Sequence, residues 1–214
     1  MSNHDPLFPL SAWRSVVAIA IAACAQMISG CPPAMTSPAT QDTAAGISAD
    51  RPYTGTVADW PLFFKRHLFG AVCFDTRGCK IEYAGSDHGN AKDTPPASVH
   101  TPERYDEIMV ASYGDIANFA PPAKLEWRAK DGEALSAEVD FAMLFKDQLV
   151  RHNVSREQIP EDASIGFTHI VLEVNDRTVN VYTRTMIPTK DAQIPGNRFS
   201  YSRNDLIWVY SHTH

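Results

Sequence analysis

The chain has 214 residues, of which 44% are hydrophobic and 21% charged, with a formal net charge of −6 at pH 7. That mild acidity argues against nucleic acid or an anionic membrane face as the main partner, because both select basic surfaces. The length suits one domain with a substantial core, and the four cysteines raise the question of an oxidising compartment.

Residues 15–31 (SVVAIAIAACAQMISGC) follow Arg14 as an uncharged apolar run that closes in Ile28-Ser29-Gly30-Cys31. The run is shorter than a bilayer-spanning helix and ends in small residues, the pattern of a secretion signal. A cysteine directly after Ile-Ser-Gly resembles the lipobox of bacterial lipoproteins. The resemblance implies that the Cys31 thiol is fatty-acylated, that residues 1–30 are a lipoprotein signal peptide, and that Cys31 becomes the lipid-bearing first residue. An ordinary signal peptide, or an anchor helix with an incidental Cys31, is the plainer alternative. Pro32 rather than aspartate follows the cysteine, which by the sorting habit of such lipoproteins implies the outer membrane, facing the periplasm.

Residues 31–52 are rich in Pro, Ala, Ser and Thr, with only Met35 and Ile47 as large apolar side chains. Such a segment buries too little surface to fold and is expected to be a disordered tether, reaching about 60 Å when extended. Residues 53–214 then form a single periplasmic domain. With Cys24 in the leader and Cys31 lipidated, Cys73 and Cys79 remain, and two cysteines six apart in an oxidising compartment predict a disulfide. Gly78 between them can take the positive φ that closes a β-turn, so the bridge is expected to staple a hairpin tip, contributing about 2 kcal/mol. Two thiols without a second pair are a poor zinc site, and the spacing is too wide for a thioredoxin-like motif.

Residues 59–74 (DWPLFFKRHLFGAVCF) carry the aromatic and β-branched content of a long bent strand, with Gly70 marking a bulge or close approach. Residues 80–83 alternate as its hairpin return. Residues 85–102 are polar and turn-rich, a long exposed loop. Thr101-Pro102-Glu103 can cap a short helix, while residues 108–113 read equally well as a strand. Residues 125–128, the turn Lys130-Asp131-Gly132 and residues 134–139 form a clear hairpin. Asp140 then caps a short helix, with Phe141, Leu144, Phe145 and Leu149 as one apolar stripe. Residues 168–174 and 178–187 make a second alternating hairpin around Asn175-Asp176-Arg177. Residues 191–203 are loop, and residues 205–211 a last strand. One firm helix among strand–turn–strand units predicts a mainly β, antiparallel sandwich-like fold with an α+β tendency.

No constellation stands out as catalytic. Ser86-Asp87-His88 are adjacent, whereas a triad needs side chains converging from separated positions. His212 and His214 would share a strand face without a third metal ligand, and His67 lies amid Lys65, Arg66 and aromatics on a strand face. The glycosylation pattern Asn153-Val154-Ser155 has no meaning behind a bacterial leader. No phosphate loop, dinucleotide fingerprint or metalloprotease helix is present, so neither a cofactor nor a metal is expected, and the chain does not read as an enzyme.

The stretches Arg66-His67-Leu68-Phe69-Gly70, Glu126-Trp127-Arg128 with Asp131-Gly132, Glu173 through Tyr182, and Arg203-Asn204-Asp205-Leu206 resemble a family of small proteobacterial lipoproteins. Its members are typically encoded beside type VI secretion spike proteins and lipase or phospholipase effectors. The resemblance covers most of residues 59–210 and implies an immunity protein: a lipid-anchored periplasmic inhibitor that binds a secreted (phospho)lipase and occludes it. A structural envelope lipoprotein of a secretion machine and a tethered hydrolase are the other readings. Interface energy concentrates in aromatic and arginine anchors ringed by polar residues. The candidates for partner contact are therefore the loop residues Asp87, His88, Arg177, Arg198 and Tyr201.

Overall fold

A computed structural model describes residues 53–214. The leader, Cys31 and the tether lie outside the described residues. The chain enters through a tight turn in which the buried Asp59 carboxylate accepts the amides of Thr54 and Gly55. Pro61 and this turn keep residues 59–65 out of the expected long strand, since proline cannot donate to a ladder. Strand β1 therefore starts only at Arg66–Phe74, followed by β2 at Thr76–Tyr83.

These two strands are not a hairpin. β1 lies inside one sheet, and β2 belongs to a second sheet. The chain changes sheets at Asp75, which takes φ +53°. The Cys73–Cys79 disulfide is present, but it ties the two sheets across this corner instead of stapling a turn. Gly78 does adopt positive φ (+78°), where it forms a bulge against β2's neighbours.

The stretch expected as a loop continues the second sheet. β3 (Ser86–Asp87) and β4 (Asn90–Asp93) both pair with β2. Helix α1 (Pro102–Ile108) then takes the helical alternative, with Thr101 Oγ1 accepting the Arg104 amide. β5 (Tyr113–Ala117) joins the far edge of β1. The hairpin β6 (Ala123–Ala129) and β7 (Ala134–Val139) forms where expected. Asp140 caps α2 (Phe141–Leu144), a single turn that buries Phe141 and Phe145 but ends before Leu149.

β8 (Thr168–Asn175) and β9 (Thr178–Thr185) form the second hairpin, with a two-residue turn at Asp176-Arg177. β10 (Ile187–Pro188) pairs with β11 (Ser202–Arg203), and β12 (Ile207–Thr213) closes the sheet edge on β9. The first sheet runs β12-β9-β8-β1-β5, and the second runs β3-β2-β6-β7 with β4 also on β2. The fold is mainly β and sandwich-like. One pairing departs from the antiparallel expectation: β1 and β8 are parallel, His67 against Thr168 through Phe74 against Asn175. A parallel pair needs a long crossover, here supplied by the whole second sheet.

The main core lies between the sheets, where Phe69, Ile81, Tyr83, Leu125, Ile170, Leu172 and Val181 are buried with Phe141 and Phe145. β8 alternates, but both its faces are covered. Its outward Val171 packs under a second cluster with Met109, Ala111 and Phe74, contributed by the segment around α1. The outward Glu173 is equally buried and accepts from Tyr105 Oη (2.9 Å) and Asn175 Nδ2 (3.0 Å). Burial and this carboxylate both hold the Tyr105 phenol well above its ordinary range.

Gly70 marks a close approach. The bulge falls instead between His67 and Leu68, opposite β5. A Cβ at Gly70 would sit 2.2 Å from the Val110 carbonyl oxygen and 2.9 Å from Ala111 Cα. Gly70→Ala must push the covering segment off the sheet. It should destabilise the domain by about 3 kcal/mol, read as a lowered midpoint in urea unfolding at unchanged slope.

Candidate functional site

The loop between β10 and β11 is built from its own hydrogen bonds. At its base the Thr189 amide donates to the Tyr201 carbonyl (3.0 Å), and the Lys190 amide donates to the Gln158 carbonyl (2.7 Å). Inside, Ser200 Oγ donates to the Asn197 carbonyl (2.8 Å) and accepts from the Ile194 amide (3.0 Å). The Gln193 amide donates to the Ser200 carbonyl, and Asn197 Oδ1 accepts the Phe199 amide. Gln193 Nε2 adds bonds to Thr189 Oγ1 and the Asp191 carbonyl. Below the loop, Arg203 pairs with Asp205 and donates to the Asn153 carbonyl. The result is a closed Ω-type loop with little backbone left to order.

Ser200 is buried at its centre, while its large apolar side chains face solvent. Phe199 is 80% exposed, and Ile194 and Tyr201 are also exposed. The Arg198 guanidinium lies over the Phe199 ring, 4.8 Å from its centroid. Three further exposed apolar side chains, Tyr53, Phe167 and Met186, lie at the same end of the β8–β9 pair. Gly166 and Met186 are joined by a backbone bond (2.8 Å), and the Ile165 amide reaches Gly55 (3.1 Å). Tyr53, Phe64, Arg66, Ile165, Phe167 and Thr168 line a cleft of about 290 Å³ there. Arg66 at its rim is ion-paired with Asp115.

A larger, shallower depression of about 800 Å³ lies on the outer face of the second sheet. Its lining mixes both signs, with Lys80 opposite Glu126 and Arg77, Arg128 and Asp87 around them, so it presents no single-signed field to a ligand.

Of the five residues proposed for partner contact, only Arg198 and Tyr201 come together. Arg177 lies at the other end of β9, roughly 27 Å of strand away. Its guanidinium is engaged by Asp131 and Glu133 of the β6–β7 turn, which hold it firmly protonated. Asp87 and His88 lie on the second sheet. Asp87 Oδ1 accepts the amides of Gly89 (2.9 Å) and Ile81 (3.3 Å), bonds led by Gly89 that hold the carboxyl below its usual range. His88 Nε2 donates to the Tyr83 carbonyl, and its ring packs on Phe69 and Tyr113. Ser86 Oγ donates to Tyr113 Oη instead of meeting His88. The members of the site not foreseen in the sequence are Tyr53, Phe167, Met186, Ile194 and Phe199. The available signal was an aromatic isolated in a polar, Pro/Gly-containing run, with no apolar partner at strand or helix spacing.

His67 lies on a strand face, as expected, and on the side turned into the core, where it is fully buried. Asn118 Nδ2 donates to the Phe64 carbonyl (2.7 Å), which turns its Oδ1 toward His67 Nδ1 (2.8 Å). Nδ1 therefore carries the proton, and Nε2 accepts from Tyr83 Oη (3.0 Å). The neutral ring is satisfied on both sides. The His212 and His214 rings meet edge-on with centroids 4.6 Å apart, and His214 also lies edge-on to Trp127. Among the described residues no three His, Cys, Asp or Glu side chains gather as a metal set, and no helix is long and apolar enough to cross a membrane. Comparison with known protein families, curated proteins and solved structures returns no match to this chain.

Burial pushes the His67 imidazole below its ordinary 6.5, against an opposing contribution from the Asn118 bond. The unfolded chain thus takes up a proton at His67 before the folded one does. The stabilising contribution is complete above pH 6.5 and is lost as the pH falls through the folded value. His67→Gln should flatten the fall in melting temperature between neutral and mildly acidic pH relative to wild type; parallel curves would show that His67 contributes nothing to it.

Proposed function

We propose that the chain is a lipid-anchored periplasmic immunity protein that binds and occludes a secreted (phospho)lipase effector. One observation carries the binding part of this reading. Of the eleven large apolar side chains left exposed among the described residues, six gather at the end of the domain where the chain enters at Tyr53. Scattered exposed apolars are ordinary, but a gathered set bordered by polar groups marks an interaction surface. The opposite end is closed by its own ion pairs, Lys130 with Asp75 and Asp176, and Arg177 with Asp131 and Glu133. The partner's identity and the periplasmic setting rest on the sequence resemblances at Cys31 and along residues 59–210.

Occlusion needs no chemistry by this chain, so inhibition should be stoichiometric and reversible. Titrating the protein into the lipase encoded beside it should abolish lipid hydrolysis with a sharp endpoint at a fixed molar ratio. Undiminished hydrolysis at molar excess, with no complex on gel filtration, contradicts the reading.

Anchoring is tested separately. Cys31→Ser should leave an unprocessed precursor and abolish fatty acylation of the mature N-terminus, read by mass spectrometry. Wild-type protein with an unmodified N-terminus elsewhere in the chain rejects Cys31 as the lipid site, and fractionation with the inner membrane rejects the outer-membrane assignment.

A further inference from the structure

We infer that the 191–201 loop is the inhibitory element itself, a preformed plug that enters the acyl-chain slot of the lipase and excludes its lipid substrate. The inference rests on the immunity reading above and assigns that reading a site and a mode of inhibition. Any enzyme that hydrolyses long-chain lipid esters must hold an acyl chain in a narrow apolar slot opening toward the lipid surface. The complement of a slot is a thin apolar projection, not a flat patch. The described domain offers one in Phe199, Ile194 and Tyr201, carried on a loop that leaves through the two-residue pair β10–β11 and returns at Tyr201.

Three features fit a plug better than a solvated turn. First, the loop is closed internally by Ser200, Asn197 and Gln193, so little conformational freedom remains to be lost on insertion. Second, Arg198 lies over the Phe199 ring and has no ion-pair partner among the described residues. Its cation is available to carboxylates at the mouth of a slot, or to the site where substrate phosphate would sit. Third, the loop lies at the same end as the exposed Tyr53, Phe167 and Met186, so its projection is continuous with further apolar surface.

Insertion of the same loop into the bilayer is the competing use of these side chains. The net charge of −6 disfavours approach to an anionic surface, and a fluid bilayer requires no such internally fixed shape.

The experiment uses residues 31–214 with Cys31→Ser, produced without residues 1–30, so that neither leader nor lipid confounds the assay. Inhibition of the neighbouring lipase is followed on 4-nitrophenyl butyrate and 4-nitrophenyl palmitate. The plug predicts a raised apparent KM with unchanged kcat, stronger for palmitate. Phe199→Glu and Ile194→Glu, both exposed positions, should unfold at the wild-type temperature yet weaken inhibition by about 30-fold or more, as loss of interface anchors does. Met143→Glu, an exposed apolar residue on α2, should inhibit like wild type. Inhibition by wild type that survives both loop substitutions overturns the plug and leaves the immunity reading standing. No inhibition by wild type at molar excess overturns both. A third result also overturns the plug: wild type binds phosphatidylethanolamine–phosphatidylglycerol vesicles, Phe199→Glu does not, and lipase inhibition is equal for the two.

Discussion

The corner at Asp75 is the constraint from which the architecture follows. In one residue of left-handed backbone the chain leaves an inner strand of the first sheet and enters the second. The Cys73–Cys79 bridge fastens the two sheets on either side of that step. The chain returns first as β5, antiparallel to β1 on one side, and only after β6 and β7 as β8, parallel to β1 on the other, its register continuing to Phe74 against Asn175. The corner also fixes the turns around it. The Asp176 amide donates to the Phe74 carbonyl, Trp127 Nε1 donates to the Asp176 carbonyl, and Lys130 pairs with both Asp75 and Asp176. One end of the sandwich is thereby consumed in holding itself together, and the other is left to present side chains outward.

What could be read in the sequence was whatever depended on neighbours close in the chain. The β6–β7 and β8–β9 hairpins are alternating arms around short turns, and α2 follows its Asp140 cap; both signals act over a few residues. The sheet change at Asp75 was not legible, because Phe-Asp-Thr-Arg-Gly is equally good turn chemistry for a hairpin and for a corner. Only non-local pairing of β1 with β8 and of β2 with β6 decides between them. β3 and β4 read as loop because their side chains are polar and exposed, as edge strands often require. The covered outer face was hidden by the same logic. Glu173 and His169 look like the solvent side of an alternating strand until Tyr105 and the Ala111 amide arrive from distant positions to satisfy them.

The candidate site was half legible for a related reason. Arginine and tyrosine in a loop suggest contact on composition alone, and Arg198 and Tyr201 do fall in the exposed loop. Arg177 carries the same composition signal, yet its charge is absorbed by Asp131 and Glu133, which are 44 to 46 residues away in sequence. A charge becomes a binding anchor only when the fold leaves it unpaired, and pairing is a tertiary fact.

The loop's aromatic is the residue the fold does least to explain. Both hydrophobic clusters are complete without Phe199, and its ring touches the rest of the chain chiefly through the cation of its neighbour Arg198. Exposing a phenyl side chain forgoes roughly 2 kcal/mol that its burial would contribute. The loop's inward hydrogen bonds come from Ser200, Asn197 and Gln193 and would survive a serine or asparagine at position 199. Folding alone therefore does not account for Phe199. The side chain is stabilised only in a state in which something else covers it, and the closed loop beneath it keeps the ring in place until that happens.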